Sequence, residues 1–136
     1  MNLYDLVKKH QIINKFSALQ YSNFAVALKI AKLKKEVEEK VKFYSDQEIS
    51  IANAYGEKNN DGKLIISNNG QIKFATLKDA QKFEELISKL RATDSDIECP
   101  IKLNIKNDIV SDNLSLTPDD ILMAEGLLEI VLDEEK

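Results

Sequence analysis

The sequence predicts an α+β fold: a long N-terminal helical hairpin or rod, a small antiparallel sheet made of a hairpin plus one strand, and two shorter helices. Three observations support this class. No glycine or proline interrupts residues 22–55. The spacing of apolar residues changes after Gly56 from the helical period to an alternating one. Helix-capping residues then recur at Thr76 and Thr117.

The first helix is predicted over Leu3–Leu19, because apolar residues recur there at intervals of three and four. The long helix is expected to start after an N-cap at Ser22 and to end at Tyr55, with Gly56 in a left-handed conformation. Its roughly 33 residues would extend about 50 Å.

An apolar stripe runs along the long helix. Since the rest of the chain is short compared with this helix, either the first helix folds back along the stripe or a second copy of the chain covers it. The second alternative predicts a homodimer or higher oligomer. The seam residues are Ile30, Leu33, Val37, Val41 and Tyr44.

The hairpin is predicted from its turns. Asn60-Asp61-Gly62 precedes the strand-like run Lys63–Ser67, and Asn68-Asn69-Gly70 joins that run to Gln71–Phe74. An Asn-Gly turn between two such runs is typical of a β-hairpin.

Two further elements follow the hairpin. Thr76, with Asp79 three residues later, caps a helix that ends near Arg91. Apolar residues alternate over Ile97–Ile105, which predicts a strand, and Pro100 places that strand at an edge of the sheet or gives it a bulge.

The last helix is predicted from Pro118 to about Leu132, after an N-cap at Thr117 and with Gly126 inside it. The 136 residues are expected to form a single domain, in which residues 1–56 are a helical arm and residues 57–136 an α+β body.

The composition excludes several classes of site. One cysteine, Cys99, and one histidine, His10, cannot form a disulfide framework, a Cys-rich zinc site or a two-His metal motif. Cys99 lies among the apolar residues of the predicted strand and His10 among polar helix residues, so a Cys-His nucleophile is not indicated. We expect a non-enzymatic protein without a cofactor. No apolar run could span a membrane and no signal peptide is evident, which predicts a cytoplasmic location.

One loop resembles part of an EF-hand. Glu57, Asn59 and Asp61 occupy its positions 1, 3 and 5, but Asn68 stands at position 12, where calcium binding requires a bidentate glutamate. These three residues are the only metal ligands considered, and an ordinary turn explains them.

Charge is divided unevenly along the chain. Residues 1–91 carry 16 Lys and Arg against 11 Asp and Glu, whereas residues 92–136 carry 3 against 12. The aspartates of this acidic C-terminal third have two interpretations. They keep the protein soluble, or they occupy a basic groove in a protein partner. The residues proposed for partner binding are Asp108, Asp112, Asp119 and Asp120.

Lysines along the long helix alternate with glutamates, and no aromatic platform accompanies them. Arg91 is the only arginine, and bidentate reading of bases or phosphates depends on arginine. Specific nucleic-acid binding is therefore not expected.

The order of elements resembles a group of small uncharacterised proteins encoded by phages and prophages of AT-rich Gram-positive bacteria. The resemblance covers roughly residues 25–131. It depends on the Lys/Glu helix that ends in Ala54-Tyr55-Gly56-Glu57-Lys58, on Ile72-Lys73-Phe74, and on Leu116-Thr117-Pro118-Asp119 before an apolar segment. It implies a phage-encoded protein that acts inside the infected cell or during particle assembly.

Three functions are consistent with these features. The leading expectation is a phage protein that binds a protein partner and inhibits a host function such as antiviral defence. The alternatives are an accessory protein of head or tail assembly, and a small-ligand sponge with a pocket between subunits.

Overall fold

The fold is described by a computed structural model over residues 1–97, 100–110 and 116–131. It is α+β, as predicted. Within these ranges the elements, in chain order, are α1 (Leu3–Lys8), α2 (His10–Ser17), α3 (Phe24–Tyr55), α4 (Leu77–Ala92), β1 (Ile101–Asn104), α5 (Ile105–Asp108), α6 (Pro118–Met123) and β2 (Leu128–Val131).

The N-terminal segment forms two helices where one was predicted. Helices α1 and α2 are separated at Lys9, whose φ of −93° and ψ of 1° depart from helical values. Its N–H donates to the carbonyls of Asp5 and Leu6 at 3.2 and 3.0 Å, so the last turn of α1 is tightened. Apolar periodicity continues across a break of one residue and does not reveal it.

Helix α3 has 32 residues and extends about 48 Å. Its N-cap is Asn23 and not Ser22: Oδ1 of Asn23 accepts hydrogen bonds from the N–H groups of Ala25 and Val26 at 3.1 and 3.3 Å. The Ser22 hydroxyl instead donates to the carbonyl of Asn107 at 3.0 Å.

The end of α3 also differs from the prediction. Gly56 has φ −73° and ψ 151°, so the left-handed conformation predicted for it was wrong. A Cβ at this position would lie 2.5 Å from Cδ2 of Leu64 and 2.7 Å from the carbonyl oxygen of Ala52. The glycine is required because the following segment packs closely on the end of the helix.

The apolar stripe of α3 is covered by the same chain. Ile30, Leu33, Val37 and Tyr44 are buried and Val41 is half-buried, and α1, α2 and α4 all pack against α3. Folding back of the N-terminal segment is therefore the alternative that the structure contains. Four of the five predicted seam residues are therefore buried within the chain itself and Val41 keeps part of its surface, while the oligomer stays a prediction.

Residues 57–74 contain the predicted turns but only isolated bridges in place of strands. One antiparallel bridge joins Ile66 to Ile72. Between them Gly70 adopts φ 82°, and its N–H donates to the carbonyl of Ser67 at 2.9 Å. No residue of this segment is buried, so few apolar contacts are available to stabilise a longer pair of strands.

Helix α4 begins as predicted. The hydroxyl of Thr76 accepts a hydrogen bond from the N–H of Asp79 at 3.1 Å, and the helix ends at Ala92. The rings of Phe74 and Phe83, 5.0 Å apart, attach the preceding segment to this helix.

Strands β1 and β2 form a two-stranded parallel sheet, which corrects the antiparallel sheet predicted. Ile101 pairs with Leu128 and Asn104 pairs with Val131. Residues 105–127 connect the strands, because parallel neighbours require a crossover longer than a hairpin turn.

The helix predicted over residues 118–132 is much shorter. Its start is as expected: Thr117 and Asp120 form a reciprocal capping box, with hydrogen bonds of 3.1 and 3.0 Å. It ends at Met123, and Gly126 then adopts φ 91°, which a right-handed helix cannot contain. The apolar residues that follow form β2, because a short apolar run is compatible with either a helix or a buried strand.

Two clusters of buried apolar residues stabilise the molecule, and each contains residues from both 1–56 and 57–136. The larger includes Phe16, Val37, Leu103 and Leu127. The smaller is formed by Leu3, Tyr44 and Leu90. Among the described residues, no helix is long and apolar enough to cross a membrane.

Candidate protein-binding surface

The four aspartates predicted to form one acidic surface have different environments. Asp108 is buried, Asp120 is half-buried and Asp119 is exposed, while Asp112 lies outside the described residues. Of the three that are described, only Asp119 presents an exposed carboxylate.

Asp108 is 8% exposed, and both of its carboxylate oxygens accept hydrogen bonds. Oδ1 accepts from Nδ2 of Asn23 at 3.0 Å, and Oδ2 accepts from the N–H of Asn104 at 2.8 Å. Its backbone carbonyl accepts from the N–H groups of Ser22 and Asn23, at 2.9 and 3.3 Å. Asp108 therefore joins the start of α3 to the end of β1, and it is not available to an external partner.

Asp120 connects α6 to α2 through an ion pair. Its Oδ2 accepts a hydrogen bond from Nζ of Lys15 at 2.5 Å. The bond from Lys15, followed by the backbone bond from Thr117, lowers the pKa of Asp120 from its ordinary value of 3.8. Nearby, Nζ of Lys9 donates to the carbonyl of Met123 at 2.9 Å, which adds a cation at the C-terminal end of α6.

In the loop that contains the candidate metal ligands, the side chain of Asn59 is hydrogen-bonded to backbone groups of the loop itself. Oδ1 of Asn59 accepts hydrogen bonds from the N–H groups of Asp61 and Lys63 at 2.9 and 3.1 Å. In residues 1–97, 100–110 and 116–131 there is no group of three or more His, Cys, Asp or Glu side chains that could hold a metal ion.

Of the two residues considered for nucleophilic chemistry, the structure describes only His10. Cys99 lies outside the described part of the chain. His10 is half-buried on α2, and its Nε2 is buried without a hydrogen-bond partner among the described residues. The same holds for Oδ1 of Asn14, one turn further along α2.

The feature that the sequence analysis missed is an exposed apolar surface at the start of α3. Phe24 is 80% exposed and Leu28, one turn later, is 55% exposed. Beside them lies an open groove of about 870 Å³. The aliphatic and phenyl side chains along this groove, called the Phe24 groove below, are Leu19, Phe24, Ala27, Ile30, Ala31 and Val110.

Tyr21 closes the inner side of the Phe24 groove. The residue is 8% exposed, and its hydroxyl donates to the carbonyl of Phe16 at 2.7 Å. Burial, followed by the negative charge of Asp108, raises the pKa of Tyr21 from 10.0 to about 12. The hydroxyl is therefore a neutral donor at physiological pH, and it holds the wall of the groove in place.

The rim of the groove is basic. Lys34, Lys35 and Glu38 line it, which leaves one net positive charge, and Nζ of Lys34 lies 3.6 Å from Oε2 of Glu38. A signal for this surface is present in the sequence. Phe24 and Leu28 stand four residues apart and fall on the helix face opposite the buried residues Leu33, Val37 and Tyr44, so packing inside the protein does not require them to be apolar.

Compared with known proteins, the chain matches no protein-family model, no curated protein and no solved structure.

Proposed function

We propose that this chain is a non-enzymatic protein of phage or prophage type that acts by binding a protein partner and thereby inhibits a host function such as antiviral defence. The partner binds at the Phe24 groove. The acidic residues proposed from the sequence contribute less, because Asp108 and Asp120 are engaged inside the fold.

The observation that supports partner binding is the exposure of Phe24 and Leu28. These two side chains lie next to each other at the start of a long helix and leave most of their apolar surface in water. A contiguous exposed apolar patch is typical of an interaction site, whereas isolated exposed apolar residues are ordinary. The groove beside them extends the patch.

A small-ligand sponge is less well supported by the same geometry. Pockets for small molecules usually bury most of the ligand surface. Phe24, a wall of this groove, is itself four-fifths exposed, so it would leave a small ligand in water. A macromolecular partner can cover Phe24 and the groove together.

The test is an affinity pull-down from a host-cell lysate with three forms of the protein. These are the wild type, the double variant Phe24→Ser/Leu28→Ser, and the control Leu77→Ser, which alters a residue that is 74% exposed at the start of α4. We expect the wild type and the control to retain the same host protein and the double variant to lose it. After purification, this host protein should bind the wild type again. Equal recovery of the host protein by all three forms would overturn the proposal. Finding the chain itself in purified phage particles at stoichiometric amounts would also overturn it.

A further inference from the structure

The Phe24 groove has features that specify the chemistry of its occupant. We infer that it binds an amphipathic helix of the partner protein that carries acidic residues beside its apolar stripe. This inference rests on the proposed function and deepens it, because it names the kind of segment that the partner supplies.

The shape of the groove fits a helix. Its residues on α3 run from Phe24 to Glu38, a distance of about 21 Å along the helix axis. Ala27 and Ala31 line it at a spacing of four residues, and their small side chains allow the axis of a second helix to approach closely. An apolar groove beside a rigid helix is a usual site for a helical segment of a partner.

The charge around the groove favours an acidic occupant. The charged residues that line the groove are Lys34, Lys35 and Glu38, which together leave one net positive charge. In the part of the chain that the structure describes, Lys34 has Glu38 as its ion-pair partner, whereas Lys35 forms no ion pair. Opposite charge on a partner would steer association and fix its register.

The same charges disfavour two other occupants. A second copy that docked this face against itself would bring Lys34 and Lys35 of both copies together. A nucleic acid would find lysines without a neighbouring arginine, and among the described residues that line the groove the only exposed aromatic ring is Phe24, where stacking normally uses several.

The experiment uses two designed, fluorescein-labelled helical peptides with the same leucine stripe, one flanked by glutamates and the other by lysines. Fluorescence anisotropy measures binding of each to the full chain. We expect the glutamate peptide to bind, and its affinity to fall roughly tenfold or more in Phe24→Ser and in Lys35→Glu. The variant Lys35→Glu should gain affinity for the lysine peptide.

Matched controls lie at the other end of the molecule. Leu77→Ser and Lys78→Glu change an exposed apolar residue and an exposed lysine of α4, and each should leave the affinity unchanged. Thermal unfolding checks that every variant is folded.

Several results would overturn the inference. One is equal binding of both peptides, and another is binding of neither while the pull-down still yields a partner that depends on Phe24; this second result leaves the proposed function standing. Tight binding of a labelled single-stranded oligonucleotide that Lys35→Glu abolishes would assign the face to nucleic acid. Dimers in light scattering that Phe24→Ser dissociates would assign it to a second copy. A large gain in peptide affinity after deletion of residues 132–136 would assign it to this chain's own acidic end.

Discussion

Nδ2 of Asn23 donates a hydrogen bond to Oδ1 of Asp108 at 3.0 Å, although the two residues are 85 positions apart in the sequence. The amide oxygen of the same asparagine caps α3 through the N–H groups of Ala25 and Val26. One side chain thus starts the long helix and attaches it to the segment after β1. Because this junction lies beside the Phe24 groove, it also positions the proposed binding surface.

The first prediction concerns Asp108. Replacing Asp108 by alanine leaves Nδ2 of Asn23 and the N–H of Asn104 without their acceptor. We expect the free energy of unfolding to fall by about 2 kcal/mol. Urea denaturation followed by circular dichroism measures this. Asp119→Ala, at an exposed position, is the control and should change the midpoint little. Equal midpoints for the two variants would show that Asp108 has no structural role.

The second prediction concerns Tyr21 at high pH. Its pKa is raised from 10.0 to about 12 in the folded state, so its contribution to stability is fully present below pH 10 and is lost as the pH rises toward 12. The loss should be about 2 kcal/mol. Urea denaturation between these pH values measures it, and Tyr21→Phe should remove this part of the pH dependence. A phenolate absorbance titration in which all four tyrosines ionise together would contradict the assignment.

The third prediction concerns the ion pair between Lys15 and Asp120. Replacing Lys15 by methionine removes the largest cause of the lowered Asp120 pKa, so that pKa should rise. In the wild type, the contribution of this carboxylate to stability is present above pH 3.8 and is lost as the pH falls through its lower folded-state pKa. NMR titration of the Asp120 carboxyl carbon compares the two proteins. An unchanged midpoint would mean that the ion pair does not persist in solution.

The fourth prediction compares two glycines. Gly56→Ala places a Cβ 2.7 Å from the Ala52 carbonyl oxygen, which cannot move without distorting α3, and should cost about 2 kcal/mol. Gly70→Ala meets no atom within 4 Å but must keep φ at 82°, and should cost about 1 kcal/mol. Urea denaturation of both variants gives the order. The reverse order would show that the segment after α3 is not packed on the helix end.

The elements with strong local signals were predicted well. The long helix and the N-caps at Thr76 and Thr117 all follow from interactions within a few residues. The break at Lys9 and the early end of α6 were missed. In both places apolar residues continue beyond the end of the helix, and their spacing alone does not show where the helix stops.

The candidate site was largely missed for a related reason. The acidic cluster was grouped by charge along the chain, but burial separates Asp108 from Asp119. The groove depends on residues 17–22 and Val110 lying beside α3, which no local pattern indicates. The local signal for this surface is Phe24 and Leu28, two apolar residues on the otherwise polar face of the helix.

Local signals along the chain were enough to predict a helix about 48 Å long and both of its ends to within two residues, because helix formation depends on propensity, spacing and capping. Contacts between distant segments were needed to establish that the apolar stripe of this helix is covered by the same chain, that β1 and β2 run parallel, and that Phe24 remains exposed to water. These outcomes depend on which distant segments pack together, and long-range packing is set by the total burial of apolar surface and not by any local pattern.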